Sequence, residues 1–250
     1  MKKILFMLFI LLLIIFSVSA QVIKIEVAEV LSGNITSLVY NPSIDTNIFK
    51  ITTEFFNTGS IGYKARARLD VFSQSGLLYT GWSKEASLVP GIKSSFNIYW
   101  FEPNITGNFS GRIRIYYANE IKELEIKFEI KNFTISQDIF EISDLRTYDN
   151  YVKFSLRSSQ TVNSVIAFPS KYPLGWIFEQ TKIEKLNQND KISVSLPYQP
   201  SLWTPSEVTI AVVTEDGKYY SSKTFILVKE EGLLKYVHYL TDGLRVLLNI

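Results

Sequence analysis

The sequence predicts an all-β protein: two antiparallel β-sandwiches in tandem, with an N-terminal signal helix and a short C-terminal amphipathic helix. Three observations carry this. Apolar and polar residues alternate with a period of two through most of the chain, clusters of Gly, Pro, Asn, Asp and Ser interrupt that alternation at short intervals, and only the two ends depart from it.

At the amino end, Lys2 and Lys3 precede the apolar run ILFMLFILLLIIF, and SVSA places Val18 and Ala20 just before Gln21. A basic start, an apolar core and small residues at the exit are the layout of a secretory signal over 1–20. The run covers 4–16, matching the roughly 7 to 15 residues of a signal core and falling short of the roughly 18 that cross a bilayer. Cleavage after Ala20 is the expectation. The alternative is an uncleaved anchor over 4–25, which brings Ser17, Ser19, Gln21 and Lys24 into or near the apolar layer, each at a cost. An exported chain without cysteine has no disulfides to lean on, so hydrophobic cores must hold it. The abundance of Ile, Lys and Asn fits a prokaryotic source.

Residues 21–131 form the first predicted sandwich. In YKARARLDV, Tyr63, Ala65, Ala67, Leu69 and Val71 share one face, while Lys64, Arg66, Arg68 and Asp70 take the other. In KELEIKFEIK, Leu124, Ile126, Phe128 and Ile130 oppose Glu123, Glu125, Lys127, Glu129 and Lys131. Side chains of an extended chain point alternately to its two faces, so each segment is a strand with one dry and one wet side. The predicted strands are 22–31, 37–40, 49–57, 63–72, 79–83, 94–100, 112–117 and 124–131, separated by turns such as NTGS, SQSG, VPG and YANE.

The pattern restarts over 132–228, with strands at 133–142, 151–157, 162–168, 176–186, 191–196, 208–214 and 219–228. EDGK joins the last two, its Asp216-Gly217 pair tolerating positive φ. Lys131, Asn132 and Phe133 leave almost no linker, which predicts sandwiches stacked end to end with restricted bending. Over 232–250 the period changes. Leu233, Val237, Leu240, Leu244 and Leu247 recur at steps of four and three, opposite Lys235, His238, Asp242, Arg245 and Asn249. This is an amphipathic helix, weakened at Gly243 by about 1 kcal/mol, that needs a surface: a membrane, another subunit or the second sandwich.

The segments EFFNTGS, LVPGIKSSFNIYWFEP and NFSGRIRIYY, with Asn57, Gly59, Pro90, Gly91, Trp100 and Gly111, resemble the cell-adhesion-related domain of bacteria, CARDB, an Ig-like sandwich of prokaryotic surface proteins. YPLGWIFEQTKIEKLNQNDKISVSLPY, with Pro173, Gly175 and Trp176, is similar to the Ig-like domain found beside carbohydrate-binding modules and alpha-galactosidases. Asn189 and Asp190 replace that family's usual Pro-Gly. Both resemblances imply tandem Ig-like accessory modules that display or bind and do not catalyse.

Four Asn-x-Ser/Thr sequons occur, at Asn34, Asn104, Asn108 and Asn132. Asn104 and Asn108 share the predicted hairpin loop between Trp100 and Arg112, where a glycan stays in water; the same residue type also simply makes turns. The single histidine, His238, lies on the wet side of the terminal helix, which argues against Ser–His catalysis and the usual zinc ligand sets. Glu123, Glu125 and Glu129 read as an ordinary wet face. Asp144 with Asp149 and Asn150, or Asn187 with Asn189 and Asp190, are turn residues that also have the oxygens calcium takes. Among the aromatics, Trp100 and Trp176 are expected in cores, and Trp203, between prolines, is the candidate for an exposed binding surface.

The charges are interspersed, with a formal net of +2 and no polybasic block, which argues against a nucleic-acid partner. The expectation is a non-catalytic exported protein at the cell surface, requiring no cofactor, whose partner is an envelope protein or a surface glycan, with membrane or subunit contact through the terminal helix. The alternatives are a glycan-active enzyme or its carbohydrate-binding subunit, and a filament subunit that donates a strand.

Overall fold

Alternating apolar residues can leave water only by facing a second sheet, and the chain answers this demand twice. The computed structural model describes residues 28–44, 48–131, 138–201 and 205–227. The segment read as a signal or anchor, Asn132, Trp203 and the residues predicted to form the terminal helix, with Leu233, Val237, Leu240, Leu244 and Leu247, lie outside the described residues. Residues 28–30 carry no regular structure. From Leu31 onward the described residues belong to one compact unit.

Among the described residues the strands are, in order, β1 (Gly33–Tyr40), β2 (Ser43–Ile44), β3 (Ile48–Asn57), β4 (Tyr63–Ser73), β5 (Gly76–Trp82), β6 (Ala86–Leu88), β7 (Lys93–Phe101), β8 (Gly107–Tyr117), β9 (Glu120–Ile130), β10 (Phe140–Thr147), β11 (Tyr151–Ser158), β12 (Val162–Lys171), β13 (Ile177–Phe178), β14 (Thr181–Leu186), β15 (Lys191–Gln199), β16 (Ser206–Thr214) and β17 (Tyr220–Leu227). No helix among them is long and apolar enough to cross a membrane. They form a three-stranded sheet, β1-β3-β7; a six-stranded sheet, β2-β9-β8-β4-β5 with β6 also on β4; and two four-stranded sheets, β10-β11-β15-β13 and β14-β12-β16-β17. Every pairing of these strands is antiparallel except β2 with β9.

The first core is dominated by β3 and β7 on one side (Phe49, Phe55, Phe96, Trp100) and β4, β8 and β9 on the other (Leu69, Ile113, Phe128). Phe49 stacks on Phe128 at 4.0 Å, and Trp100 meets both Phe109 and Phe128 edge-on. The second core faces Phe154, Leu196 and Tyr198 against Val165, Ile210 and Val212. Each fully buried side chain of this size contributes about 1.5 to 3 kcal/mol of transfer free energy.

The seam between the two cores comes from double-sided burial. On β12, Val165 and Ala167 serve the second core, whereas Ile166 and Phe168 belong to the first; on β16, Val212 and Val213 divide the same way. The outer face of the β14-β12-β16-β17 sheet therefore packs broadside on the first core, and the end-to-end stacking expected from the short linker is not what forms. Continuous apolar runs such as VIAF and IAVV are how a strand covered on both faces reads.

Several predicted strands shift. Residues 28–31 are not strand, and β1 starts at Gly33. The single strand predicted over 176–186 is two: β13 pairs with β15, and β14 pairs with β12 in the other sheet. Between them Glu179 and Gln180 carry the chain from one sheet to the next. The wet face predicted for β4 is also only partly wet, since Arg66 and Asp70 are 7% and 2% exposed.

One local device explains two turns at once. Asn57 is fully buried, and its Nδ2 donates to the carbonyls of Ile61 and Leu88 while its Oδ1 accepts the N–H of Gly59. The N–H of Gly91 donates to the Asn57 carbonyl. The NTGS and VPG turns are thus tied together by a single side chain and its backbone.

Candidate functional site

Where the two cores meet, polar groups from distant parts of the chain converge. The Gln180 carboxamide accepts the Tyr99 N–H at 2.8 Å and donates to the Tyr99 carbonyl at 2.6 Å and the Tyr79 hydroxyl at 2.8 Å. The Tyr172 hydroxyl donates to the Thr80 carbonyl at 2.7 Å. Burial pushes the phenols of both Tyr79 and Tyr172 up, so each stays a neutral donor. At the other side of the seam, Glu215 accepts from Lys50 at 2.8 Å, from Lys182 at 3.1 Å and from the Ser164 hydroxyl. The Lys50 and Ser164 bonds, with Lys182 adding to them, bring the Glu215 carboxyl down to about 2. Arg66 bridges Glu85, at 3.1 Å, and Glu179, at 3.3 Å.

The outer face of the six-stranded sheet carries a charge ladder set by register: Arg68 opposes Arg114, which opposes Glu123, while Asp70 opposes Arg112, which opposes Glu125. Asp70 receives Arg68 Nε at 2.8 Å, Arg114 Nη1 at 3.1 Å and the Thr80 hydroxyl at 2.7 Å. Arg114 also binds Glu123 at 2.7 Å, and that bond lowers the exposed Glu123 carboxyl. Of the carboxylates expected on this wet face, Glu123 and Glu125 are thus engaged by arginines rather than set against one another.

Beside this ladder a cleft of about 310 Å³ opens between β5 and the segment 170–176. Trp82, Tyr172 and Trp176 give it aromatic walls, and Leu77, Leu78 and Leu174 stand at its mouth, 40%, 43% and 76% exposed. The Arg68 guanidinium lies over the Trp82 ring, 5.4 Å from its centroid. Trp82 and Trp176 are themselves 7% and 3% exposed. Trp176 follows a Pro173–Gly175 turn in which Gly175 takes φ +88°, and it stacks on Tyr198 at 5.7 Å.

The site residues named from sequence do not gather at this cleft. Asn34 is exposed on β1, and Asn104 is exposed in the 102–106 connection at φ +62°. Asn108 is not in a loop: β8 begins at Gly107, and Asn108 pairs with Glu129 while its side chain is exposed. Nor is the connection a hairpin, because β7 and β8 belong to different sheets. The calcium candidates are used locally, Asp144 by Lys191 at 2.6 Å and Asp190 by Asn187 at 2.9 Å. No group of three or more His, Asp or Glu suited to a metal occurs among the described residues. Trp100 and Trp176 are buried in the two cores, as expected. The cleft had one sequence signal, the non-alternating PLGW turn, but its opposite wall on β5 is far away in the chain.

No family model and no curated protein matches the chain. Among solved structures it is similar to the Pseudomonas fluorescens alkylpurine DNA glycosylase AlkC bound to DNA containing an abasic-site analog (TM-score 0.32, 13% identity, 40% of this chain and 30% of that one). It is similar also to red sea bream transglutaminase (TM-score 0.29, 7% identity, 83% and 32%) and to CBD12 from CALX1.2 (TM-score 0.25, 12% identity, 69% and 79%). The chain spans less than a third of the length of the glycosylase and the transglutaminase. Likeness at this level carries no argument about function.

Proposed function

We propose that this chain is a non-catalytic exported protein in which two tandem Ig-like sandwiches form one stiff unit that presents binding surface in the cell envelope. The observation that supports this most directly is the Gln180 clamp. A side chain at the sheet switch on one side of the seam serves a backbone residue and a buried phenol on the other; if the two halves swung apart the Tyr99 N–H would lose its partner, and the Tyr99 carbonyl and Tyr79 hydroxyl would keep only their long 3.3 Å bond to each other. Stiffness is what a display or spacer module requires, because it fixes where loops point. The signal segment, the resemblance of 25–131 to CARDB, and exposed sequons at Asn34, Asn104 and Asn108 agree with an extracytoplasmic setting. The 232–250 helix would supply attachment to a subunit or a membrane.

Two measurements test this. Fractionation with intact mass of the native protein should give envelope material beginning at Gln21, with glycan mass lost when Asn104 or Asn108 becomes Gln; unprocessed cytosolic protein would refute export. Backbone ¹⁵N relaxation should give one rotational correlation time for strands β3 to β9 and β10 to β17, and two distinct times would refute the stiff unit.

A further inference from the structure

We infer that the cleft between β5 and the 170–176 segment is a binding site for the carboxyl-terminal residue of a peptide that ends in a large apolar side chain. The inference deepens the reading just given, since the cleft has walls from both halves and exists only while the seam holds them together.

The charge pattern of the cleft identifies the polar half of the ligand. Among the described residues its charged lining residues are Arg68 and Lys171, and no carboxylate lines it. Arg68 spends Nε on Asp70, which fixes the guanidinium plane over Trp82, and its two terminal nitrogens have no hydrogen-bond partner among the described residues. An arginine held by its own Nε, with the fork left free, is arranged for bidentate binding of a planar acceptor such as a carboxylate. Lys171 is 76% exposed in its side chain and its contact with Glu207 is long, at 3.7 Å, so it adds positive potential at the mouth.

The body of the ligand follows from the rest of the lining. Leu77, Leu78 and Leu174 are three large aliphatic side chains exposed around one opening, whereas single scattered ones are the norm on a monomer. A sugar needs acceptors for several hydroxyl protons, and the described lining offers only hydroxyls such as those of Thr80 and Ser170 and backbone carbonyls, with neither a carboxylate nor a carboxamide. An apolar side chain needs none. β5 is also the edge of its sheet; with the Thr80 carbonyl taken by Tyr172 and Trp82 bridged to Glu179, an extended peptide can pair with it only before Thr80, beside Leu77 and Leu78. The volume is at the small end for ligand sites and suits one or two residues.

The test is NMR titration of ¹⁵N-labelled protein with N-acetyl-leucyl-leucine, its C-terminal amide, and methyl glucuronide. The acid should shift the Trp82 and Trp176 indole signals and bind at least about tenfold more tightly than the amide, the loss expected when a charge-assisted pair is removed. Arg68→Gln should erase the difference between acid and amide. Leu174→Asp, at a position too exposed to affect folding, should weaken the acid several-fold with an unchanged Tm. Equal binding of acid and amide, tighter binding of the glucuronide, or no indole shift with any probe would each overturn the inference. If relaxation still reports one body while no probe binds, only the cleft assignment fails; two independent bodies would refute the stiff unit instead.

Discussion

The Gln180 side chain pairs with Tyr99 as a neighbouring strand would, accepting its N–H and donating to its carbonyl. β7 is the edge strand of the β1-β3-β7 sheet, and an open edge is a liability because its unpaired groups invite another chain. The chain closes it with a carboxamide that becomes available only because the strand predicted over 176–186 breaks at Glu179 and Gln180 to change sheets. Gln180→Ala should therefore destabilise the protein by about 1 to 3 kcal/mol, because the Tyr99 N–H loses its partner while the Tyr99 carbonyl and the Tyr79 hydroxyl keep only their 3.3 Å bond to each other. Tyr79→Phe should cost about 1 kcal/mol, and the two should be strongly non-additive in a double-mutant cycle by urea denaturation. Additive costs would mean that the clamp does not act as a unit.

Glu215 gives the seam a pH dependence. Its carboxyl is brought down to about 2 from an ordinary 4.5 by Lys50, Ser164 and Lys182. A carboxyl depressed on folding stabilises the native state fully above its unfolded pKa, and that contribution is lost as pH falls from about 4.5 toward about 2. Lys50 and Lys182 are raised by the same Glu215 bonds, so their share is present below 10.5 and lost as pH rises through their folded values. Glu215→Gln should leave a protein less stable at pH 7 whose stability falls less steeply than wild type on acidification below about pH 4.5. Parallel curves for the two proteins would show that the carboxylate is not linked to folding.

Much of the architecture was legible because period-two alternation is a direct record of one-sided burial. In β9 it placed Ile126, Phe128 and Ile130 inside, although Leu124 proves 37% exposed. What alternation cannot record is which sheet a strand joins. Nothing local distinguishes the Ile177–Phe178 pairing from the Thr181–Leu186 pairing, and the break between them creates the clamp. Burial of polar residues was equally hidden: Asp70 reads as a wet-face residue until Arg114 and Thr80 are brought to it, beside Arg68 of its own strand, from two other strands. The cleft was illegible for the same reason, since its walls are some 90 residues apart in the chain, as the Tyr172–Thr80 bond shows.

Asp70 is the charge on which the arginine ladder depends. It is 2% exposed, whereas the side chains of Arg68 and Arg114 keep 23% and 21% exposure. Asp70→Asn retains the shape and one acceptor but leaves Arg68 without a counter-charge and Arg114 with Glu123 alone, which should cost about 2 to 3 kcal/mol, below the roughly 3 to 5 of a fully buried broken pair. Arg114→Met should cost less, because Arg68 still balances Asp70. Chemical denaturation of both variants checks the order, and a larger loss for Arg114→Met would show that packing of the arginine stem outweighs the charge.

Two glycines hold their places for different physical reasons, and alanine separates them. At Gly111 a Cβ would stand 2.8 Å from Ile126 Cγ1 and 3.0 Å from its Cδ1, with Leu69 Cδ1 at 3.3 Å, so the core has no room. Gly111→Ala should cost about 1 to 3 kcal/mol by overpacking. In an Ile126→Ala background most of that cost should vanish, because the obstructing atoms are gone. At Gly91 there is nothing within 4 Å, but φ is +77°, so Gly91→Ala should cost about 1 kcal/mol through backbone strain alone. Gly91→Asn should recover part of it, because Asn tolerates the left-handed region, and Ile126→Ala should change nothing there. If Gly111→Ala kept its full cost in the Ile126→Ala background, contact with Ile126 would not be the reason that position is glycine.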